Sequence, residues 1–152
     1  MSPAAFDVRP VSRADLERLT ALERAVFHPE PYPGYFLRQA MDLWPDWFLV
    51  AEAAGSAIGY TLAAPGTSHG RAMILSLAVD AEMRGRGVAR RLLSVLTDRL
   101  TASGITEVSL TVHPDNRAAR DLYLGLGFQD RGSEADYFGE GQPRLILGRT
   151  LG

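Results

Sequence analysis

Residues Met83 to Leu93 read MRGRGVARRLL, with two glycines and four arginines where an apolar run gives way to a helical pattern. A helix start of this kind suits an anion. Its first N–H groups have no internal partner, and the aligned peptide dipoles add about half a positive charge there. Gly85 and Gly87 let backbone approach a ligand with no side chain between, while Arg84, Arg86, Arg90 and Arg91 add charge-assisted donors. The chemistry implied is grip on a phosphate or diphosphate; a solvated basic helix start is the plainer reading. The stretch lacks the G-x-x-x-x-G-K-[ST] order of a Walker loop. It also departs from G-x-G-x-x-G, because Arg90 stands where the third glycine belongs.

Other reactive residue types are sparse. The absence of cysteine excludes disulfides, thiolate metal sites and a cysteine nucleophile. His28, His69 and His113 are scattered without ligand spacing, so no metal is expected. His113 follows Thr111 by two residues, which by strand alternation puts both on one face, and an imidazole of pKa ~6.5 can accept a proton. A structural histidine at a strand end is the alternative. Asn116 suits a helix cap, and Tyr123 shares a helical face with Ala119 and Leu126 as a core aromatic would. All 16 basic residues are arginine, which is either a coding bias or, where they cluster, a preference for the fork that fits phosphate.

The elements that must position these residues follow from pattern. AFDVRP alternates as a strand, and Ser12 three residues before Asp15 forms an acidic capping box that opens a helix with Leu16, Leu19, Leu22 and Val26 on its buried face. HPEPYPGY breaks that helix; a second runs from about Gly34 to Leu43. WFLVAEAAGSAIGYTLAAPG reads as a hairpin around AAGSA, and AMILSLAVD as a central strand. Val88, Leu92, Val95, Leu96 and Leu100 mark an amphipathic helix closed by Gly104. EVSLTV is a strand up to Pro114, a short helix follows from Asn116 to Gly127, and final strands lie around EADYF and RLILGRT. No linker or repeat interrupts residues 1–152, so a single domain is expected.

Composition excludes several function classes. A net charge of -2 gives no global attraction to nucleic acid or to a membrane surface. No apolar run approaches the ~18 residues of a membrane span, and the N-terminal stretch MSPAAFDVRPVSRADLERL lacks the basic-then-apolar order of a signal peptide. A cytoplasmic enzyme or binding domain, monomeric or homodimeric, is the expectation.

Arg84, Gly87 and Ala89 fit [Q/R]-x-x-G-x-[G/A], and the stretch resembles the pyrophosphate loop of the GNAT superfamily of acyl-CoA-dependent N-acyltransferases. The flank LSLAVDAEMRGRGVARRLL is similar to that family's fourth strand, loop and third helix. LTVHPDNRAARDLYLGLGF resembles its next segment, with Asn116, Ala119, Tyr123, Gly127 and Phe128 at the N-x-x-A-x-x-x-Y-x-x-x-G-F spacing. DYFGEGQPRLIL and EPYPGYFLRQAM are similar to the tail and acceptor-side segments of protein N-terminal acetyltransferases, especially the ribosomal-protein alanine type (RimI-like). The resemblance covers nearly the whole chain. It implies an α/β (α+β) fold with a mixed, mostly antiparallel central sheet of about seven strands flanked by four helices.

The resemblance also implies roles. The cofactor would be acetyl-CoA (coenzyme A). The backbone of Leu77, Ala78 and Val79 would bind its pantetheine arm as an added strand. The N–H groups of Arg84, Gly85, Arg86, Gly87, Val88 and Ala89 would wrap the diphosphate, with Arg90 or Arg91 near the remaining phosphate or ribose. Asn116 would contact the cofactor arm, and Tyr123 would stand near its sulfur. Tyr32, Tyr35 and Tyr137 either line the acceptor groove or pack as surface and lid residues.

The family's base positions hold Met73 and Thr111 here, neither of which is a competent base. His113 or an ordered water chain touching Glu52 or a loop tyrosine is left for that task. Neutralising an α-amine of pKa ~8 at pH 7 costs about 1.4 kcal/mol, against roughly 4.6 for a lysine amine. A protein or peptide N-terminal α-amine is therefore the preferred acceptor. A small-molecule amine (a polyamine or an aminoglycoside-type compound) and a non-catalytic acyl-CoA-binding sensor are the alternatives.

Overall fold

The computed structural model describes residues 5–152, so the first four residues of the stretch read for a targeting signal lie outside the described residues. Seven strands and four helices follow one another as β1 (Asp7–Pro10), α1 (Leu16–Phe27), α2 (Gly34–Leu43), β2 (Phe48–Ala53), β3 (Ser56–Pro65), β4 (Arg71–Val79), α3 (Val88–Ala102), β5 (Glu107–Val112), α4 (Arg117–Gly125), β6 (Gln129–Glu134) and β7 (Arg144–Thr150). The sheet order is β1-β2-β3-β4-β5-β7-β6. β4 and β5 run parallel, whereas the β1–β2, β2–β3, β5–β7 and β6–β7 pairs are antiparallel. The expected mixed, mostly antiparallel α/β fold is what the chain forms. Among the described residues no helix is long and apolar enough to cross a membrane.

The chain gathers into two compact units, and β4 contributes to both. One comprises the residues up to Ala64 with Leu75–Leu100. Its core joins Leu19 and Leu22 of α1, Leu37, Ala40 and Met41 of α2, and Phe48, Val50, Tyr60, Leu62 and Ala78 of the sheet. Leu16 and Val26 pack on the same core, so the helical spacing of α1 does the work the sequence assigned it. Asp15 anchors the start of that helix. Its Oδ2 accepts the Ser12 N–H at 2.8 Å, and Arg9 of β1 reaches both carboxylate oxygens at 2.8 Å. One full truncation in such a core, Leu19→Ala for instance, costs about 2–5 kcal/mol.

The second unit holds Pro65–Ile74 and Thr101–Gly152. β5 is its central strand, alternating half-buried and buried residues from Glu107 to Val112. On one side its ladder with β4 joins Arg71 to Glu107, Ala72 to Val108 and Met73 to Ser109. On the other it pairs with β7 over Glu107 to Val112. The last hairpin corrects one expectation. The strand lies at Gln129–Glu134 and takes in only the first residue of EADYF, and the residues after Glu134 form turns. All six strand residues are exposed, so this edge strand carries no apolar alternation that would locate it.

Candidate functional site

The glycine–arginine turn belongs to the first unit. The β4–β5 ladder covers only Arg71–Met73, so among the described residues Leu75–Val79 of β4 have no register partner on β5. Leu77, Ala78 and Val79 lie in this unpaired stretch, with Ala78 buried and its neighbours half-buried. Asp80 then turns the chain. Its N–H donates to Ile58 O at 2.8 Å, its Oδ1 accepts the Glu82 N–H at 3.1 Å, and its Oδ2 pairs with Arg18 Nη2 of α1 at 2.8 Å. After a 3-10 turn over Ala81–Met83, Gly85 and Gly87 adopt φ of +78° and +82°. Only glycine enters this left-handed region without cost.

α3 starts at Val88, whose side chain is buried while Arg84, Gly85, Arg86, Gly87 and Arg90 are exposed. Close packing at Gly59 of β3 fixes that start. A Cβ there would meet Ala78 O at 3.0 Å and Val88 Cγ1 at 3.3 Å. The first backbone bond into α3 is Arg91 N–H to Gly87 O at 3.0 Å. Among the described residues the N–H groups from Gly85 through Arg90 therefore donate to no protein acceptor. A run of unsatisfied donors on a positively ended helix, ringed by guanidinium groups, fits the diphosphate of a nucleotide-type cofactor.

The same unit contains a residue that sequence reasoning missed. Glu23 of α1 is 1% exposed, and among the described residues it has no cationic hydrogen-bond partner. Its Oε1 accepts from the Tyr60 hydroxyl and from Ser76 Oγ (2.8 Å), and its Oε2 accepts the Tyr32 N–H at 2.8 Å. Burial, then the charge of Glu23 and the hydrogen bond to it, raises the Tyr60 pKa far above the ordinary tyrosine value. A signal was present in the sequence. Glu23 lies four residues after Leu19 and seven after Leu16, a charged residue at a core position of α1. Nearby, Tyr32 stacks on Phe36 with ring centroids 4.6 Å apart, and Tyr35 is 76% exposed at the start of α2.

The second unit carries the remaining expected residues. His113 lies one residue past the end of β5 at Val112, so strand alternation does not by itself set its side chain on the Thr111 face. Pro114 biases the preceding backbone and leads into a turn, where His113 Nδ1 accepts the Asp115 N–H at 3.0 Å. Asn116 Oδ1 accepts the Ala119 N–H at 3.1 Å and caps α4. Tyr123, buried on α4, meets Phe128 edge-on at 5.5 Å. Burial raises its hydroxyl pKa above the ordinary value. Tyr137 is half-buried on the turn after β6, edge-on to Phe138 at 4.8 Å. Glu52, named as a contact for a water chain, is engaged by Arg9 at 3.0 Å.

The fold thus brings Leu77, Ala78, Val79, the residues from Arg84 to Arg90, Tyr32 and Tyr35 into one unit, and His113, Asn116, Tyr123 and Tyr137 into the other. Among the described residues no group of three or more His, Asp or Glu side chains is placed to hold a metal ion.

Residues 15–128 match the family model described as Acetyltransferase (GNAT) family. An uncharacterised N-acetyltransferase of Methanocaldococcus jannaschii is 30% identical over 141 residues, spanning 92% of this chain and 88% of that protein. The crystal structure of Ard1 from Thermoplasma volcanium superposes with a TM-score of 0.89 at 25% identity, covering 97% of this chain and 98% of that one. Arabidopsis thaliana Naa50 in complex with the bisubstrate analogue CoA-Ac-MVNAL superposes with a TM-score of 0.82 at 20% identity, covering 96% and 99% of the two chains.

Proposed function

From the premise that this chain belongs to the acetyltransferase (GNAT) family, we propose that it is an acetyl-CoA-dependent N-acetyltransferase whose preferred acceptor is the α-amine of a protein or peptide N-terminus. The observation that carries the reading is the row of N–H groups from Gly85 to Arg90 that donate to no acceptor among the described residues, set soon after the stretch of β4 at Leu77–Val79 that has no register partner on β5. Acetyl-CoA supplies the thioester, whose carbonyl carbon bonds to the amine nitrogen as the C–S bond breaks and the amine loses a proton.

The chain's own groups bind, orient and donate. Leu77–Val79 hydrogen-bond the pantetheine amides through main-chain atoms, in the manner of an added strand. The N–H row neutralises the diphosphate, and Arg90 or Arg91 takes the remaining phosphate. Asn116 keeps its amide NH2 for the cofactor arm while its carbonyl oxygen caps α4. Tyr123 stays protonated and donates a hydrogen bond to the sulfur as negative charge develops there. Tyr32, Tyr35 and Tyr137 border the acceptor.

No side chain at Met73 or Thr111 removes the amine proton. His113 is tied into its turn, so water is the acceptor of that proton. This arrangement favours an amine that is cheap to neutralise. The difference between an α-amine and a lysine amine, about 3.2 kcal/mol, corresponds to roughly two hundredfold in rate. The test compares kcat/KM on a peptide with a free N-terminus and on an N-blocked peptide with an internal lysine, alongside calorimetric titration with coenzyme A. Saturable coenzyme A binding and preference for the free N-terminus are expected. A preference for lysine overturns the acceptor assignment, and binding without thiol release on any amine overturns catalysis.

A further inference from the structure

We propose that Glu23 is a positioning residue for acyl transfer: its buried carboxylate ties the proline-rich loop before α2 to the sheet and so sets Tyr32 on the acceptor side. The role given to Tyr32 rests on the acceptor reading above; the tie itself does not.

The need for such a tie is written in the loop. Pro29, Pro31 and Pro33 have no N–H, so from residue 29 to residue 33 only Glu30 and Tyr32 carry a backbone donor. The Glu30 N–H turns back to Phe27 O at 2.8 Å, at the end of α1. The Tyr32 N–H is then the one backbone donor left between Pro31 and Pro33, and it goes to Glu23 Oε2 at 2.8 Å. The other carboxylate oxygen takes the hydroxyls of Tyr60 on β3 and Ser76 on β4. One side chain therefore joins helix, sheet and loop.

The position of this carboxylate argues for a duty beyond stability. Burying a carboxyl group away from water is unfavourable until its hydrogen bonds offset the lost solvation. An apolar side chain at this buried position of α1 would avoid that cost. What an apolar residue cannot do is accept the Tyr32 N–H. That bond fixes the backbone from which the Tyr32 ring extends to stack on Phe36, one residue after the exposed Tyr35.

Glu23→Gln tests the tie, because its amide can serve the loop or the hydroxyl pair as an acceptor but not both. The expected result is a rise of about five- to tenfold in KM for the acceptor peptide, with kcat and coenzyme A affinity close to wild type. Tyr60→Phe and Ser76→Ala leave the Tyr32 bond intact, so they should lower Tm while leaving acceptor KM within about twofold. A folded Glu23→Gln enzyme with unchanged acceptor KM overturns the proposal, as does an equal KM rise in Tyr60→Phe. Should Glu23→Gln not fold, hydrogen exchange of the Tyr32 amide in the unmodified protein decides. Slowing of about a hundredfold or more relative to an open loop is expected, and open-loop exchange overturns the tie. If the wild-type enzyme acetylates no peptide amine, the acceptor reading fails and takes the role of Tyr32 with it; slow exchange at Tyr32 would still uphold the tie.

Discussion

Arg18 Nη2 of α1 lies 2.8 Å from Asp80 Oδ2, while Arg18 Nε donates to Ala57 O at 3.0 Å, so one guanidinium fastens the residue that opens the glycine–arginine turn to the hairpin beside it. Asp80 also caps the short turn through Glu82. Losing Arg18 should let the turn wander without unfolding the sheet. Both partners are partly exposed, so the effect is small, within about 1 kcal/mol. Arg18→Ala is expected to weaken coenzyme A binding about three- to fivefold by titration calorimetry, with acceptor KM unchanged.

Gly87→Ala addresses the turn directly. An added Cβ would meet nothing within 4 Å, so any effect comes from backbone strain at φ +82° and not from collision. Holding alanine there costs about 1–2 kcal/mol, and relaxing it swings the N–H row out of line. Coenzyme A affinity should fall about tenfold, and a titration that matches wild type would remove this turn from cofactor binding.

Tyr123→Phe keeps the edge-on contact with Phe128 and removes only the hydroxyl. Fold and coenzyme A affinity should hold, while kcat falls about a hundredfold through loss of a donor to developing charge. Because burial raises the pKa of this hydroxyl, full proton transfer from it to a thiolate is more uphill than the roughly 2 kcal/mol of unperturbed groups. The kcat profile should therefore show no alkaline limb from Tyr123 below pH ~10.

Asp15 gives a stability test with a definite sign. The hydrogen bond from Arg9 is the largest cause holding its pKa below the ordinary value. A depressed carboxylate contributes stability above its unfolded pKa of ~3.9 and loses that contribution as pH falls through the folded value. Asp15→Asn should cost about 1 kcal/mol in urea unfolding at neutral pH, and the gap to wild type should close below pH ~4.

What could be read in advance depended on how local each cause was. The turn at Gly85 and Gly87 was legible because glycine and arginine state their chemistry without help from the fold. The helical face of α1 was legible from spacing, yet that same spacing, read only for apolar residues, passed over Glu23. Its meaning needs Tyr60 and Ser76, which lie 37 and 53 residues further along the chain. His113 was less legible because it stands one residue past the strand whose alternation was used to place it, at the start of a turn containing Pro114. The edge strand at Gln129–Glu134 was displaced toward EADYF because its exposed polar residues give no pattern, and pairing with β7 alone defines it.

The donors from Gly85 to Arg90 would also respond to the solution around them. Sulfate or inorganic phosphate carries oxygens that accept from such N–H groups, so a concentrated oxyanion buffer should compete with coenzyme A and raise its apparent Kd. Affinities measured in phosphate and in a buffer without oxyanions should then differ, and kinetic constants for this enzyme are comparable only when the medium is the same.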